Sequence, residues 1–148
     1  MISFDTNILV YAAVENPDER HRYAVALVER AIRSRHCTQT LQSLAEFFNA
    51  TTRRAGIAPT DAAAIVAGWR RVVPVEAANI ADLNHAMRAV REYRLSFWDA
   101  LLWATVRRAG VAVLVSEDFQ DGSVIEGVRF ANPFIAANES VITAALGS

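Results

Sequence analysis

The sequence predicts an α/β fold, a three-layer α/β/α sandwich with a central, mostly parallel sheet, and three observations carry this prediction. Short apolar segments of strand length alternate with longer amphipathic segments along the whole chain. No hairpin signal joins two of the short segments, so we expect helical crossovers between parallel strands. The 148 residues contain no internal repeat and no linker, which predicts a single domain spanning residues 1–148.

The predicted strands and helices follow one another closely. In chain order they are a strand at 1–4, an apolar continuation at 7–14, a helix from 17 to about 33, a weak strand or connector at 35–40, helices at 40–54 and 59–71, a strand at 72–75, a helix at 81–93, a helix from 96 to 108, a strand at 111–115, a short strand at 127–130 and a helix at 139–146. The strands are short apolar runs that end in polar residues. A turn at Asn132-Pro133 precedes the last helix.

The helices are recognised by apolar residues that recur every three or four positions and by their end signals. Helix starts are marked by Pro17-Asp18-Glu19, Pro59-Thr60-Asp61 and the capping pattern Ser96-Phe97-Trp98-Asp99. Arginine pairs lie at three predicted helix ends, namely Arg53-Arg54, Arg70-Arg71 and Arg107-Arg108. Cations are favourable at the negative end of a helix dipole, so these pairs need no further function. Pairs that line a functional groove would instead contact phosphate.

Composition and charge narrow the classes of function. Hydrophobic residues make up 53% and charged residues 21% of the chain, which is typical of a globular protein. The longest apolar runs are far shorter than a membrane span, and the first residues lack the basic start of a secretory signal, so we expect a cytoplasmic protein. The lone Cys37 excludes a disulfide framework. A net charge of -1 excludes the strongly basic character of many nucleic-acid-binding domains.

Four acidic residues stand where such a fold would bring them together: Asp5, Glu46, Asp99 and Asp118. Asp5 follows the first strand and Asp118 follows the strand at 111–115, so both belong to the rim formed by the carboxyl ends of parallel strands. Glu46 and Asp99 lie in helical segments with apolar neighbours, and Glu46 has no basic residue three or four positions away. We therefore expect buried carboxylates, which need a partner or a metal ion.

Each acid also has an ordinary structural interpretation. Asp5 suits a turn that bonds its own backbone, and Asp99 suits a helix cap. Glu46 suits a solvated helix face, and Asp118 suits a solvated loop. Together they favour a functional site, because like charges 4 Å apart repel by about 4 kcal/mol at an intermediate dielectric and a divalent cation removes that repulsion. All-oxygen ligands select Mg²⁺ or Mn²⁺, and such a site suits phosphodiester hydrolysis.

Four segments carry a resemblance to a known family. They are Phe4-Asp5-Thr6-Asn7-Ile8-Leu9-Val10-Tyr11-Ala12, Ser43-Leu44-Ala45-Glu46-Phe47-Phe48, Ser96-Phe97-Trp98-Asp99-Ala100 and Leu114-Val115-Ser116-Glu117-Asp118-Phe119. In order and spacing they resemble the motifs of PIN-domain ribonucleases, and in particular the VapC toxins of bacterial toxin–antitoxin pairs. The resemblance spans nearly the whole chain. It implies a PIN-type fold, Mg²⁺- or Mn²⁺-dependent endonucleolytic cleavage of RNA, a homodimer, and inhibition by a VapB-like antitoxin in a larger assembly.

The same resemblance assigns roles to individual residues. The metal-binding and catalytic acids it implies are Asp5, Glu46, Asp99 and Asp118, and the supporting polar residues are Thr6, Asn7 and Ser116. Asp121 is a further acid close to the last motif, which lies either at the metal site or in solvent. Antitoxins of such toxins insert a basic side chain among the acids, which suits a negatively charged pocket.

Two other classes of function remain open on the residues alone. A phosphatase of the haloacid-dehalogenase kind also begins with an aspartate after its first strand, but Asn7 occupies the place of that family's second acid. A metal-free interaction domain would use the acids only to bind a basic partner. Metal binding would distinguish a ribonuclease from the metal-free interaction domain. RNA cleavage would distinguish it from both alternatives.

Overall fold

Strands and helices alternate in the order that the sequence predicts, apart from an additional helix after the first strand and an additional short strand at Val124–Ile125. A computed structural model describes residues 1–147, and Ser148, the last residue of the predicted domain, lies outside the described residues. The strands are β1 Ile2–Phe4, β2 Gln39–Thr40, β3 Val75–Glu76, β4 Val113–Val115, β5 Val124–Ile125 and β6 Val128–Ala131. The helices are α1 Thr6–Ala13, α2 Glu19–Ser34, α3 Leu41–Arg53, α4 Pro59–Val72, α5 Ile80–Tyr93, α6 Phe97–Arg108 and α7 Glu139–Ala145, the last preceded by a 3₁₀ turn at Ala136–Asn138.

The central sheet is mostly parallel, as predicted. β1 pairs with β4 and β4 pairs with β6 in parallel, while β5 pairs antiparallel with β6. β2 and β3 form a parallel pair of their own, and a bridge between Ile2 and Cys37 places this pair beside β1. Because Phe4 stands opposite Val115, the carboxyl ends of β1 and β4 lie next to each other at one edge of the sheet.

Helices cover both faces of the sheet, which gives the predicted three layers. Side chains alternate between the two faces along each strand. Phe4 and Val115 pack into a core shared with α1, α2, α3 and α7, while Leu114 and Phe130 pack into a second core shared with α5 and α6. Within residues 1–147, no helix has both the length and the apolar character that crossing a membrane requires.

The hairpin formed by β5 and β6 contradicts the expectation of a sheet without hairpins. Glu126 and Gly127 join the two strands, and both have positive φ angles, 47° and 89°. Two-residue turns with this backbone conformation match the twist of hairpin strands. Glycine adopts positive φ freely, but glutamate rarely signals such a turn, so the sequence pattern concealed it.

Several element ends also differ from the predictions. The apolar continuation at 7–14 is helix α1, which begins at Thr6. The strand predicted at 72–75 is wrong for most of its length, because Val72 ends α4 and β3 begins only at Val75. The strand predicted at 111–115 begins at Val113. Such ends depend on backbone hydrogen bonds, which an apolar pattern does not reveal.

A buried aspartate ties α5 to α6 and yields a stability prediction. Asp82 is 1% exposed, and its carboxylate accepts hydrogen bonds from the Asn79 N–H and from Nε of Arg108, both at 3.0 Å. We expect Asp82→Ala to lower the free energy of unfolding by about 3 kcal/mol, because a helix cap and a buried ion pair are lost together. Urea denaturation measures this loss. Asp61→Ala removes an exposed acid from α4 as a matched control, and an equal loss in both variants would contradict the role of Asp82.

Candidate active site

An open cleft of about 970 Å³ lies where β1 and β4 end, at the rim that the sequence predicts. The four predicted acids are among the side chains that line it: Asp5, Glu46, Asp99 and Asp118. Thr6 and Asn7 line it as well, and Ser116 lies directly behind, bonded to Asp5. The structure therefore brings the predicted acids together with all three predicted supporting residues.

Asp5 occupies the junction where β1 passes directly into α1. Its backbone N–H donates to the Val115 carbonyl at 2.9 Å, which extends the pairing of β1 with β4. Its Oδ1 accepts from the Thr6 N–H at 2.8 Å and caps α1, and its Oδ2 accepts from Oγ of Ser116 at 2.7 Å. Asp5 therefore has the structural turn role as well as a place in the cleft.

Burial makes the charged form of the Asp5 carboxyl energetically unfavourable. The residue is 7% exposed, and burial raises its pKa from 3.8 to about 6. Hydrogen bonds from Ser116 and Thr6 oppose this rise, and the charges of Asp118 and Asp99 add to it. A cation in the cleft would lower the pKa again, since an opposite charge favours the carboxylate form.

Glu46 differs from the sequence expectation, because its side chain is exposed. Its face of α3 opens on the cleft instead of the core. Oγ1 of Thr6 donates to one carboxylate oxygen at 2.9 Å, and Nε2 of Gln42 donates to the other at 3.1 Å. The same Gln42 amide nitrogen also donates to the Trp98 carbonyl at 3.0 Å, which links α3 to the start of α6. Glu46 is thus positioned by neutral polar partners.

Asp99 lies half-buried in the first turn of α6. Its N–H donates to Oγ of Ser96 at 3.4 Å, so Ser96 is the cap of this helix. Burial raises the pKa of the Asp99 carboxyl, a hydrogen bond from Ser96 lowers it, and the charges of Asp118 and Glu46 raise it. The capping interpretation therefore applies mainly to Ser96, while the Asp99 carboxylate lines the cleft.

The loop after β4 brings two acids to the cleft. Ser116 is buried, and its hydroxyl accepts from the Asp118 N–H at 3.1 Å while it donates to Asp5. Asp118 is exposed on the cleft. Glu117 also lines the cleft and accepts from the Tyr11 hydroxyl at 2.8 Å. Sequence reasoning missed Glu117; its position beside Ser116 and Asp118 was the only available signal.

Asn7 is the supporting residue whose side-chain amide is buried without a hydrogen-bond partner among the described residues. Both polar atoms of its side chain are buried, and within residues 1–147 neither has a hydrogen-bond partner. A buried amide without a partner costs about 1–3 kcal/mol. Asn7 is also among the residues that line the cleft.

Asp121 lies outside this group. Its Oδ1 accepts from the Asn132 N–H and from Nδ2 of Asn138, both at 2.8 Å. These bonds hold together the two loops that follow β4 and β6. The acid is not among the residues that line the cleft.

A family model that matches most of the chain identifies the family to which this protein belongs. Residues 2–120 match the family model described as the PIN domain, and this range includes the four predicted acids. The chain belongs to the PIN domain family. The predicted PIN-type α/β/α fold is therefore confirmed, and the phosphatase alternative loses its basis.

Several solved structures are similar to this chain along most of their length. VapC20 from Mycobacterium tuberculosis, described as a Sarcin-Ricin loop cleaving toxin, is 25% identical with a TM-score of 0.64, covering 80% of this chain and 92% of that chain. A toxin–antitoxin complex from Klebsiella pneumoniae contains a chain that is 18% identical with a TM-score of 0.67, covering 90% and 98%. FitAcB from Neisseria gonorrhoeae contains one that is 13% identical with a TM-score of 0.60, covering 91% and 99%.

The likeness to VapC toxins that the motifs predict is confirmed by this set of neighbours. No curated protein matches the sequence. The PIN family and these neighbours support a nuclease that belongs to a toxin–antitoxin system.

The donor chemistry of this PIN-domain cleft fits a hard divalent cation. Every predicted ligand is a carboxylate, and Mg²⁺ and Mn²⁺ prefer oxygen ligands. Among residues 1–147, no three His, Cys, Asp or Glu side chains stand close enough to hold an ion as they are. The carboxylates of the cleft are therefore not gathered into a ready-made ligand group. Their charges already interact, since Asp118 raises the pKa of both Asp5 and Asp99.

Proposed function

We propose that this protein is a metal-dependent endoribonuclease and the toxin of a VapBC-type pair. It hydrolyses RNA phosphodiester bonds with Mg²⁺, for which Mn²⁺ can substitute, and four residues hold the ion: Asp5, Glu46, Asp99 and Asp118. One observation carries the proposal. Acids from distant parts of the chain line one open cleft. The raised pKa of buried Asp5 supports the same proposal, because a cation would lower that pKa again.

The side chains of the cleft have separate tasks in this reaction. When bound, the divalent ion supplies an activated water and stabilises charge on the leaving oxygen. Ser116 and the Thr6 N–H hold the Asp5 carboxylate in one orientation, and the Thr6 hydroxyl does the same for Glu46. The buried amide of Asn7 has no partner of its own among the described residues and would hold a water beside the cleft. One carboxylate accepts the proton of the attacking water.

The proposed partners are RNA, a VapB-like antitoxin and a second copy of this chain. The negative charge of the cleft suits a guanidinium of the antitoxin, which would compete with the metal for the same carboxylates. Exposed apolar side chains support protein contacts outside the cleft. Trp98 is 62% exposed and Leu41 is 54% exposed, and Gln42 links their two helices.

Metal binding gives the first test of the proposed function. We expect Mn²⁺ at about 100 times its dissociation constant to stabilise the protein by about 2.7 kcal/mol, which raises Tm by about 8 °C for a chain of this size. Differential scanning fluorimetry measures the shift. Asp99→Asn should reduce it, because a ligand is lost, whereas Asp121→Asn should keep it.

One observation favours a second candidate, the metal-free interaction domain. Within residues 1–147 the acids are not gathered in a geometry that ligates an ion. If Mn²⁺ and Mg²⁺ leave the Tm of the parent protein unchanged, the metal site is wrong and the acids serve a basic partner instead.

A further inference from the structure

Two arginines share the cleft with the acids. Arg53 ends α3 and Arg54 follows it, and both are exposed residues that line the cleft. Glu46, Ala50 and Arg53 are spaced by four and three residues, so they lie on one face of α3. At 1.5 Å per residue, the backbone positions of Glu46 and Arg53 are about 10 Å apart along the helix axis. The cleft therefore has an acidic part and, about two helical turns away, a basic part.

Neither arginine is committed to a partner inside the protein. In the part of the chain that the structure describes, no carboxylate lies within ion-pair distance of either guanidinium. Asn49 and Ala55, which line the cleft beside them, are uncharged. The two guanidinium groups are therefore free to bind an anion that enters the cleft.

The other two arginine pairs at helix ends differ from this one. Arg107 pairs with Glu126 at 3.3 Å, and Arg108 pairs with Asp82 at 3.0 Å, so both are used in the fold. Arg70 and Arg71 lie in the last turn of α4 and are exposed, but they do not line the cleft. The helix dipole accounts for arginines at all three ends. It does not account for an uncommitted pair that faces the acids.

A polyanionic substrate needs such a pair. RNA that approaches the carboxylates of the cleft is repelled by them, and a guanidinium fork offsets this repulsion by binding phosphate oxygens in pairs. We infer that Arg53 and Arg54 hold a backbone phosphate next to the scissile one and thereby position the RNA strand across the acids. This inference rests on the proposed ribonuclease function and adds the site that binds the substrate backbone.

Salt-dependent RNA binding tests the inference without requiring cleavage. The background is Asp5→Asn, which keeps the RNA intact, and the probe is a short fluorescent single-stranded RNA followed by anisotropy over a range of salt concentrations. Each lost phosphate contact flattens the dependence of log K on log salt by about 0.7 for single strands. We expect Arg53→Gln with Arg54→Gln to flatten the slope by about 0.7, because the pair holds one phosphate. Arg70→Gln with Arg71→Gln is the control of equal charge and should keep the parent slope.

Two further measurements distinguish specific positioning of the RNA by Arg53 and Arg54 from a general effect of their positive charge. In the otherwise unaltered protein, the Arg53→Gln and Arg54→Gln pair should raise KM and leave kcat nearly unchanged, as expected when uniform substrate binding is lost. Lysines at both positions should restore the salt slope, because charge is retained, but bind RNA less tightly, because the planar fork is lost.

The failures of the two proposals are distinguishable. If the Asp5→Asn background itself binds no RNA, the ribonuclease proposal fails and the inference fails with it. The inference alone is overturned if that background binds RNA and the Arg53→Gln, Arg54→Gln variant has the same salt slope as the Arg70→Gln, Arg71→Gln control. A loss of kcat without a change in KM would also contradict it, because the arginines would then act on the reaction itself.

Discussion

Asp5→Asn is expected to abolish RNA cleavage while the protein stays folded. The substitution removes a negatively charged ligand but keeps the size of the side chain. The amide oxygen of asparagine can still accept from the Thr6 N–H, and its NH₂ group can donate to Oγ of Ser116. Loss of a metal site worth several kcal/mol of transition-state stabilisation corresponds to about a thousandfold in rate. Single-turnover cleavage of labelled RNA in Mn²⁺ measures this loss, and circular dichroism checks the fold.

Asp121→Asn is the matched control for that experiment. It changes the same group in the neighbouring loop, where the carboxylate bonds Asn132 and Asn138 instead of lining the cleft. We expect its cleavage rate to stay close to that of the parent. An Asp5→Asn protein that cuts RNA at the parent rate would show that the assignment of Asp5 is wrong.

The same substitution is expected to stabilise the metal-free protein at neutral pH, by up to about 3 kcal/mol. In the folded state burial raises the pKa of Asp5 from 3.8 to about 6, so folding favours the protonated carboxyl. The stability that this carboxyl contributes is fully present below about pH 4 and is lost as the pH rises through about 6. A change of this size in pKa corresponds to about 3 kcal/mol.

Urea denaturation of the parent and of Asp5→Asn between about pH 4 and pH 8, in a chelator, measures this effect. The difference between the two proteins isolates Asp5, because other acids titrate in both. It should be near zero at the acidic end and should grow to its full value above about pH 6. A difference that does not change with pH would contradict the raised pKa. Adding Mn²⁺ should stabilise the parent more than the variant.

The main features of fold and site were accessible from the sequence for physical reasons. The alternation of strands and helices follows from hydrophobic period, and the two cores confirm it, with Phe4 and Leu114 on opposite faces. Asp5 and Asp118 were predicted to meet because parallel strands deliver their carboxyl ends to one rim. Their convergence on one cleft needed no knowledge of side-chain packing.

The remaining features depend on contacts that the sequence does not encode locally. Glu46 was expected to be buried because its neighbours are apolar, but its place on α3 faces an opening in the surface. In the turn at Glu126 and Gly127 only the glycine is a residue type that signals a hairpin. Arg53 and Arg107 look alike at helix ends, and only the tertiary structure separates the uncommitted arginine from the one paired with Glu126.

β1 passes directly into α1 without a loop, so the chain should tolerate insertions and deletions less well at this junction than elsewhere. A residue inserted beside Asp5 would turn α1 by about 100° about its axis and carry Ile8 and Leu9 away from the core that buries them. A residue inserted after Arg54, in the exposed connection to α4, would leave both the sheet and the acids in register. Among relatives of this chain we therefore expect insertions and deletions to accumulate after α3 and to be excluded from the first strand–helix junction.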